Sequence, residues 1–392
     1  MNALIEEFDR NFPGITLETA FCPYRICPVG AHCDHQHGKI LGMAIDKGIT
    51  IAYSPSEDGI IQIVSRNFKD KIRFDVTRSL EKMNDWADYL RGAVAALSEK
   101  YPVTKGIMGV IEGSLPIGGL SSSAAVIIAF LQAMCRVNGL KLSEKEVIDT
   151  ALRAENRFVG VNVGTLDQSC VVYSRKDKLL YLDTLDNRYM LLPLNPAMKP
   201  YEIAIFFSGV ERTLAGSRYN MRVDEIKSAA YALKAYAGMD YGRFEDSRLR
   251  EVPLGIYNKY RDRLPVNFQK RAEHYYTEFA RVERGAEAWA RGDIETFGKY
   301  IFESCYSSIY NYETGSDELK ALYEITMRTE GIYGGRFSGA GFKGCFMALI
   351  DPAYRSAIEQ KVSSEYLKLF PELKGRYSTH FCKSADGVGA IS

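Results

Sequence analysis

Between Gly106 and Gly139 a strand-like run, GIMGVIE, leads through GSLPIGGLSSS into AAVIIAFLQAMCRVNG, and that last segment constrains the fold most. From Ala124 to Leu131 it is apolar on every side. The helix it predicts, ended by Gly139, therefore belongs inside a core rather than on its surface. A chain of 392 residues that is 46% hydrophobic can supply such a core, and its length points to two domains.

The flanking pattern is mixed. Ile40–Ile45 with Gly48–Tyr53, and Ile60–Val64 with Ile72–Val76, read as paired strands. Asp85–Lys100 reads as a helix, because Trp86, Tyr89, Leu90, Val94 and Leu97 recur at helical spacing. Ser143 and Glu146 form a capping box that opens a helix running towards Phe158. Cys170–Asp183 reads as β-like around the charged turn SRKDK. From about Tyr201 the order becomes strand, helix, a long helix over Phe268–Arg291, then a glycine loop and strand in GGRFSGAGFKGCFMALI. A gentle change in composition puts the domain boundary near residue 180, giving domains over 1–180 and 181–392.

Charge narrows the partners. Lys and Arg number 50 against 49 Asp and Glu, and no basic block stands out. Nucleic-acid or membrane-surface binding driven by charge is not expected, which leaves small molecules. No apolar run reaches the roughly 18 residues that a membrane-spanning helix needs. The segment MNALIEEFDRNFPG reads as neither signal nor transit peptide, so the eight cysteines read as reduced thiols in a cytoplasmic protein. Cys22, Cys27 and Cys33 lie near His32, His35 and His37, but without a CxxC pair and in a segment that reads as a strand entering a loop. A structural metal is not expected there.

Three segments carry chemistry. In PIGGLSSSAA, glycines let backbone N–H groups approach an anion, and the helix start adds about half a positive charge. Gly118, Gly119, Leu120, Ser121, Ser122, Ser123 and Ala124 thus read as a phosphate cradle, although a glycine turn with a serine cap has the same composition. The Gly-Lys-Ser/Thr ending of a Walker loop is absent. In GGRFSGAGFKGC the glycines suggest backbone folding closely around a ligand or another loop. In FCPYRICPVGAHCDHQHGKILGMAID, Arg25, His32, Asp34 and His35 gather in one loop region, where an isolated Arg–Asp pair is more often a structural ion pair.

Taken in order, with RAENRFVGVNVGTLDQ and SGVERTLAGSRYNMR between them, these segments resemble the GHMP kinase superfamily, and within it galactokinases, over nearly the whole chain. The wording PYRICPVGAHCDHQHG is similar to the galacturonokinase branch known from plants. The resemblance implies an α+β, two-domain GHMP kinase fold with its active site in the interdomain cleft. It also implies ATP-dependent, Mg2+-assisted phosphorylation of a sugar's anomeric hydroxyl. On it, Asp167 is the catalytic base and Arg25 the charge beside the transferred phosphoryl group. Glu155 and Ser123, with Ser122, would hold Mg2+; read alone, Glu155 between Arg153 and Arg157 fits a solvated helix face. Asp34 and Tyr219 would contact the sugar, along with Ala31, His32 and His35, and an adenine pocket would lie near Trp86 and Tyr89.

The departures bear on the substrate. Galactokinases carry Glu where Ala31 stands, Tyr where His35 stands and Gly where Tyr24 stands, and their phosphate loop is one residue longer. A uronic acid's C6 carboxylate would be repelled by that glutamate at about 4 Å, so Ala31 favours D-galacturonate as the sugar. Tyr24, His35 and Arg336 are candidates to meet the C6 group. D-galactose or another neutral or amino sugar is the competing substrate. A non-catalytic sugar sensor, or phosphorylation of a mevalonate-like acid or homoserine, would keep the fold but change the function.

Overall fold

The β-branched and aromatic runs of the first half become one sheet in the computed structural model, which describes residues 2–69, 71–116, 118–161, 163–210, 216–342 and 344–392, without side chains at 216–218. Expectations at Ile117, Asn162, residues 211–215 and Lys343 lie outside the described residues. The elements of this half are α1 (Asn2–Asn11), β1 (Glu18–Val29), β2 (Lys39–Ser56), β3 (Ile60–Ser65), β4 (Lys71–Asp75), α2 (Asp88–Ser98), β5 (Gly106–Gly113), α3 (Ser122–Val137), α4 (Glu144–Arg153), α5 (Leu166–Tyr173), β6 (Lys178–Asp183) and β7 (Arg188–Pro193). The sheet runs β4-β3-β5-β2-β6-β7, with β1 along the other edge of β2.

The second half contains β8 (Glu202–Phe207), α6 (Gly216–Tyr236), α7 (Leu254–Tyr260), α8 (Val266–Ala290), α9 (Ile294–Tyr310), α10 (Asp317–Met327), β9 (Ile332–Phe337), β10 (Cys345–Ile350), α11 (Arg355–Leu369), β11 (Ser378–Cys382) and β12 (Ser384–Ala385). Its antiparallel sheet has the order β11-β8-β10-β9. Strand β12 then returns to the first sheet, pairing with Ala44 and Ile45 of β2, and Leu142 and Ile391 exchange backbone hydrogen bonds at 2.9 Å.

Helix α3 is the buried element its composition demands. Ile127, Ile128, Phe130, Leu131 and Met134 are fully buried in the largest core, each contributing about 1.5–3 kcal/mol relative to exposure. That core also takes in Val282 and Trp289 of α8 with Phe297 and Ile301 of α9, so the two halves share apolar packing. A smaller core joins α6, α7 and α8 to Cys33 and Tyr312. All eight cysteines are buried free thiols. Among the described residues no helix is long and apolar enough to cross a membrane.

Two expectations are corrected. The pair Ile40–Ile45 and Gly48–Tyr53 is one strand, not a hairpin: Pro23 faces Gly48 and Tyr24 faces Ile45, so Asp46 and Lys47 form a bulge instead of a turn. A Cβ on Gly48 would sit 2.1 Å from the Cys22 carbonyl oxygen, so glycine serves the close approach of two backbones. The segment Cys170–Tyr173 is helical rather than β-like, because α5 is buried on every side there and leaves no periodicity to read. Residue 180 lies inside β6, and the chain passes to the second sheet over residues 194–201.

Candidate active site

Arg25 projects from β1 and Asp167 from the first turn of α5. The guanidinium donates from Nε at 2.9 Å and from Nη2 at 2.7 Å, both to Asp167 Oδ1. Its Nη1 reaches across to the second half, donating to Ser338 Oγ at 3.0 Å and to the Gly119 carbonyl at 3.2 Å. Burial works against the Arg25 charge, but the Asp167 carboxylate outweighs it and raises the pKa above its ordinary value. Asp167 keeps 22% of its side chain exposed, so the pair is anchored on one side and open on the other.

The loop after β1 supplies the next layer. Asp34 Oδ2 accepts the Leu166 N–H at 3.3 Å, which ties the loop to the helix carrying Asp167. Burial, and then the Asp167 charge, push the Asp34 carboxyl up to about 6. His35 Nε2 lies 3.0 Å from the Tyr312 hydroxyl, and His32 stacks on the Tyr312 ring at 4.4 Å between centroids. Tyr219 of α6 stands 6.3 Å from the His32 ring and edge-on to His35 at 6.4 Å. Burial leads the causes that depress both histidines, His35 to about 3 and His32 well below its ordinary value, so both rings are neutral near neutral pH. His32 Nε2 is buried with no hydrogen-bond partner among the described residues. Ala31 is buried beside it.

Two glycine turns meet backbone to backbone. Gly119 has φ +85°, and a Cβ there would come within 2.8 Å of the Ser338 carbonyl oxygen and 3.0 Å of Cys345 Sγ. Gly118 and Gly344 oppose each other in the same way. The loop between β9 and β10 thus folds against the loop that opens α3. Leu120 and Ala124 are buried, Ser121 holds φ +59° with its buried hydroxyl unpartnered among the described residues, and Ser122 and Ser123 begin the helix.

Glu155 is not on a solvated face. It sits in the π-helical turn Ala154–Val159 that continues α4, where Gly160 N–H bonds to the Glu155 carbonyl at 2.9 Å. The wider turn faces Glu155 inward, 3% exposed, where it accepts Gln168 Nε2 at 2.5 Å. Arg153 and Arg157 pair outward with Glu99 instead.

Arg25, Gly119, Asp167 and Ser338 therefore form one bonded cluster, Asp34 and Glu155 join it through Leu166 and Gln168, and Ala31, His32, His35 and Tyr219 line the adjoining wall. Arg336 is committed elsewhere: it is buried, donates to Ser304 and Ser308, and lies 3.7 Å from Glu278. Tyr24 is buried with its hydroxyl against Gly113. Trp86 stacks on Phe68 at 5.4 Å with its buried Nε1 unpartnered among the described residues. Sequence reasoning missed Ser338, Gln168 and Tyr312. Gln168, next to Asp167, and Ser338, inside the GGRFSGAGFKGC segment, carried a positional hint; Tyr312 carried none.

Comparisons with known proteins agree with this architecture. The family model described as GHMP kinases N terminal domain matches residues 88–175, and that described as GHMP kinases C terminal matches residues 286–368. A galacturonokinase of Arabidopsis thaliana is 39% identical over 396 aligned residues, spanning 94% of this chain and 92% of its own. A galactokinase of Roseiflexus sp. is 32% identical over 94% of this chain and 92% of its own. Lactococcus lactis galactokinase, solved with galactose, superposes with a TM-score of 0.88 at 27% identity and 98% coverage of both chains. Methanococcus jannaschii mevalonate kinase, at 16% identity and a TM-score of 0.64, shares the fold.

Proposed function

This chain belongs to the GHMP kinase family, and we propose that it is a sugar-1-kinase transferring the γ-phosphoryl group of ATP to the anomeric hydroxyl of D-galacturonate. The observation that carries the reaction is the Arg25–Asp167 pair, a buried fixed cation and a part-exposed carboxylate joined at one oxygen. Asp167 takes the proton of the anomeric hydroxyl as that oxygen attacks phosphorus. Arg25, buried among protein groups, stabilises the negative charge that develops on the transferred group. Asp34 accepts from ring hydroxyls and Tyr219 bounds the sugar's side.

The substrate reading rests on Ala31. Where galactokinases present a glutamate to the sugar's far end, this pocket has a methyl group beside two neutral histidines. A C6 carboxylate meets no like charge at position 31 and finds a donor in the His32 ring, while His35 spends its N–H on Tyr312. The similarity to a galacturonokinase supports the same substrate.

The donor set suits Mg2+: the hydroxyls of Ser122 and Ser123 at the start of α3, and the Glu155 carboxylate of the π-helical turn, which Gln168 Nε2 orients, are hard oxygens. Bound there, the ion would neutralise phosphate charge. The glycine turns and the helix start hold the phosphates.

The test is ADP release with Mg-ATP against D-galacturonate, D-galactose, D-glucuronate and N-acetylgalactosamine. A kcat/KM for galacturonate at least about tenfold above the others, worth about 1.4 kcal/mol, is expected. Preference for galactose would overturn the substrate, and no turnover with any sugar would overturn the kinase assignment.

A further inference from the structure

A buried polar stripe runs along α8 that the reaction does not use. Arg271, His274 and Glu278 recur at helical spacing and share one face, and all three are 0% exposed. Charged and polar side chains survive full burial only with specified partners, so what this stripe holds is informative.

Each member grips a different part of the sugar wall. Arg271 donates from Nε to Glu225 Oε2 of α6 at 2.7 Å and from Nη2 to Glu313 Oε2 at 2.6 Å, and its Nη1 bonds to the Asn311 carbonyl. Tyr312 is thereby held between two anchored neighbours. His274 Nε2 lies 3.0 Å from the Ala31 carbonyl and Nδ1 lies 2.9 Å from Ser307 Oγ. A carbonyl can only accept, so the proton sits on Nε2 and Nδ1 accepts from the serine hydroxyl. Glu278 Oε1 accepts the Gly30 N–H at 2.6 Å, with Arg281 and Arg336 flanking the carboxylate. The Val29–Gly30 and Ala31–His32 peptide groups are thus both fixed from one helix. His32 follows in a left-handed conformation, φ +63°, costly for a residue with a Cβ, and its ring lies flat on Tyr312.

We propose that Arg271, His274 and Glu278 are positioning residues that fix Ala31, His32 and Tyr312 as the wall meeting the far end of the sugar, and so set sugar affinity without touching the reacting atoms. The inference rests on the sugar-kinase reading for the identity of the ligand, while the placement of His32 is measurable without turnover.

The test compares His274→Phe, which removes the donor to Ala31, with His274→Gln, which keeps an amide N–H. His274→Phe is expected to raise KM for galacturonate about tenfold or more, with kcat and the KM for ATP within about twofold, and His274→Gln to recover most of the loss. In the ligand-free protein, the His32 ring 15N resonances should shift in His274→Phe and return towards wild type in His274→Gln. Should His274→Phe fail to fold, Ser307→Ala, which removes the hydroxyl orienting the ring, is expected to raise the sugar KM alone by about threefold. Sugar and ATP constants worsening together, or Gln behaving no better than Phe, would reduce the stripe to ordinary core and overturn the inference. If wild-type protein turns over no sugar, the kinase reading falls instead, and the resonances decide by themselves: His32 shifts in His274→Phe identical to wild type overturn the positioning role.

Discussion

Arg25 and Asp167, 142 positions apart in sequence, meet through two guanidinium N–H groups that converge on a single carboxylate oxygen, Oδ1. The geometry orients the carboxylate without consuming both of its oxygens. Asp167→Asn keeps the shape and an acceptor oxygen for Arg25 but cannot take a proton. It should fold, bind ATP and lose about 10²–10⁴-fold in kcat, as measured by ADP release and nucleotide titration. Activity close to wild type would remove Asp167 from the role of base.

Ala31 is the second point of leverage. Ala31→Glu places a carboxylate where the C6 group of a uronic acid would sit. The variant should lose at least about tenfold more kcat/KM on galacturonate than on galactose, about 1.4 kcal/mol of discrimination. Equal losses on both sugars would remove the electrostatic rationale.

Asp34 gives a pH signature. Its carboxyl rises from 3.8 to about 6 in the folded protein, burial first and Asp167 second. The native state keeps this proton over a window in which the unfolded chain has lost it, so Asp34's contribution to stability falls as pH rises from about 4 to 6 and stays lost above that. Asp34→Asn should flatten that part of the stability profile in urea titrations. The kcat/KM for the sugar should rise with pH through about 6 in the wild type, as Asp34 becomes an acceptor for sugar hydroxyls. A wild-type profile flat across this window would contradict the role.

Gly119→Ala tests the contact between the two glycine turns. The added methyl meets the Ser338 carbonyl at 2.8 Å in a left-handed conformation, and Ser338 also binds Arg25. The variant should be less stable by about 1–3 kcal/mol and should weaken ATP binding, by thermal unfolding and nucleotide titration. An unchanged nucleotide affinity would separate the turns from the phosphate site.

The sequence was most legible where local chemistry and fold agree. The apolar run of α3, the Ser143–Glu146 capping box and the loop leading into α3 have local signals, and the resemblance to galactokinases implies that Arg25 and Asp167 serve one reaction centre. Other features depend on partners far away in the chain. Asp46–Lys47 looks like a turn because a bulge uses the same residues, and only Cys22 and Pro23 across the strand explain it. Glu155 looks solvated until one wider helical turn faces it inward. Arg271, His274 and Glu278 look like the wet face of a long helix, since nothing in RAEHYYTE tells that Glu225, Ala31 and Gly30 will cover them.

The return of β12 to the first sheet has a consequence for how the molecule is made. Ser384 and Ala385 pair with the middle of β2, Asp386 accepts the Lys176 N–H at 2.9 Å, and Ile391 bonds to Leu142. The first lobe is therefore assembled from two stretches of polypeptide with the whole second lobe threaded between them. On the ribosome, where domains otherwise close in order of synthesis, it waits unfinished until residue 391 has emerged. Over that interval the edge of β2 that β12 will cover is open to other strands, and residues 384–391 seal it.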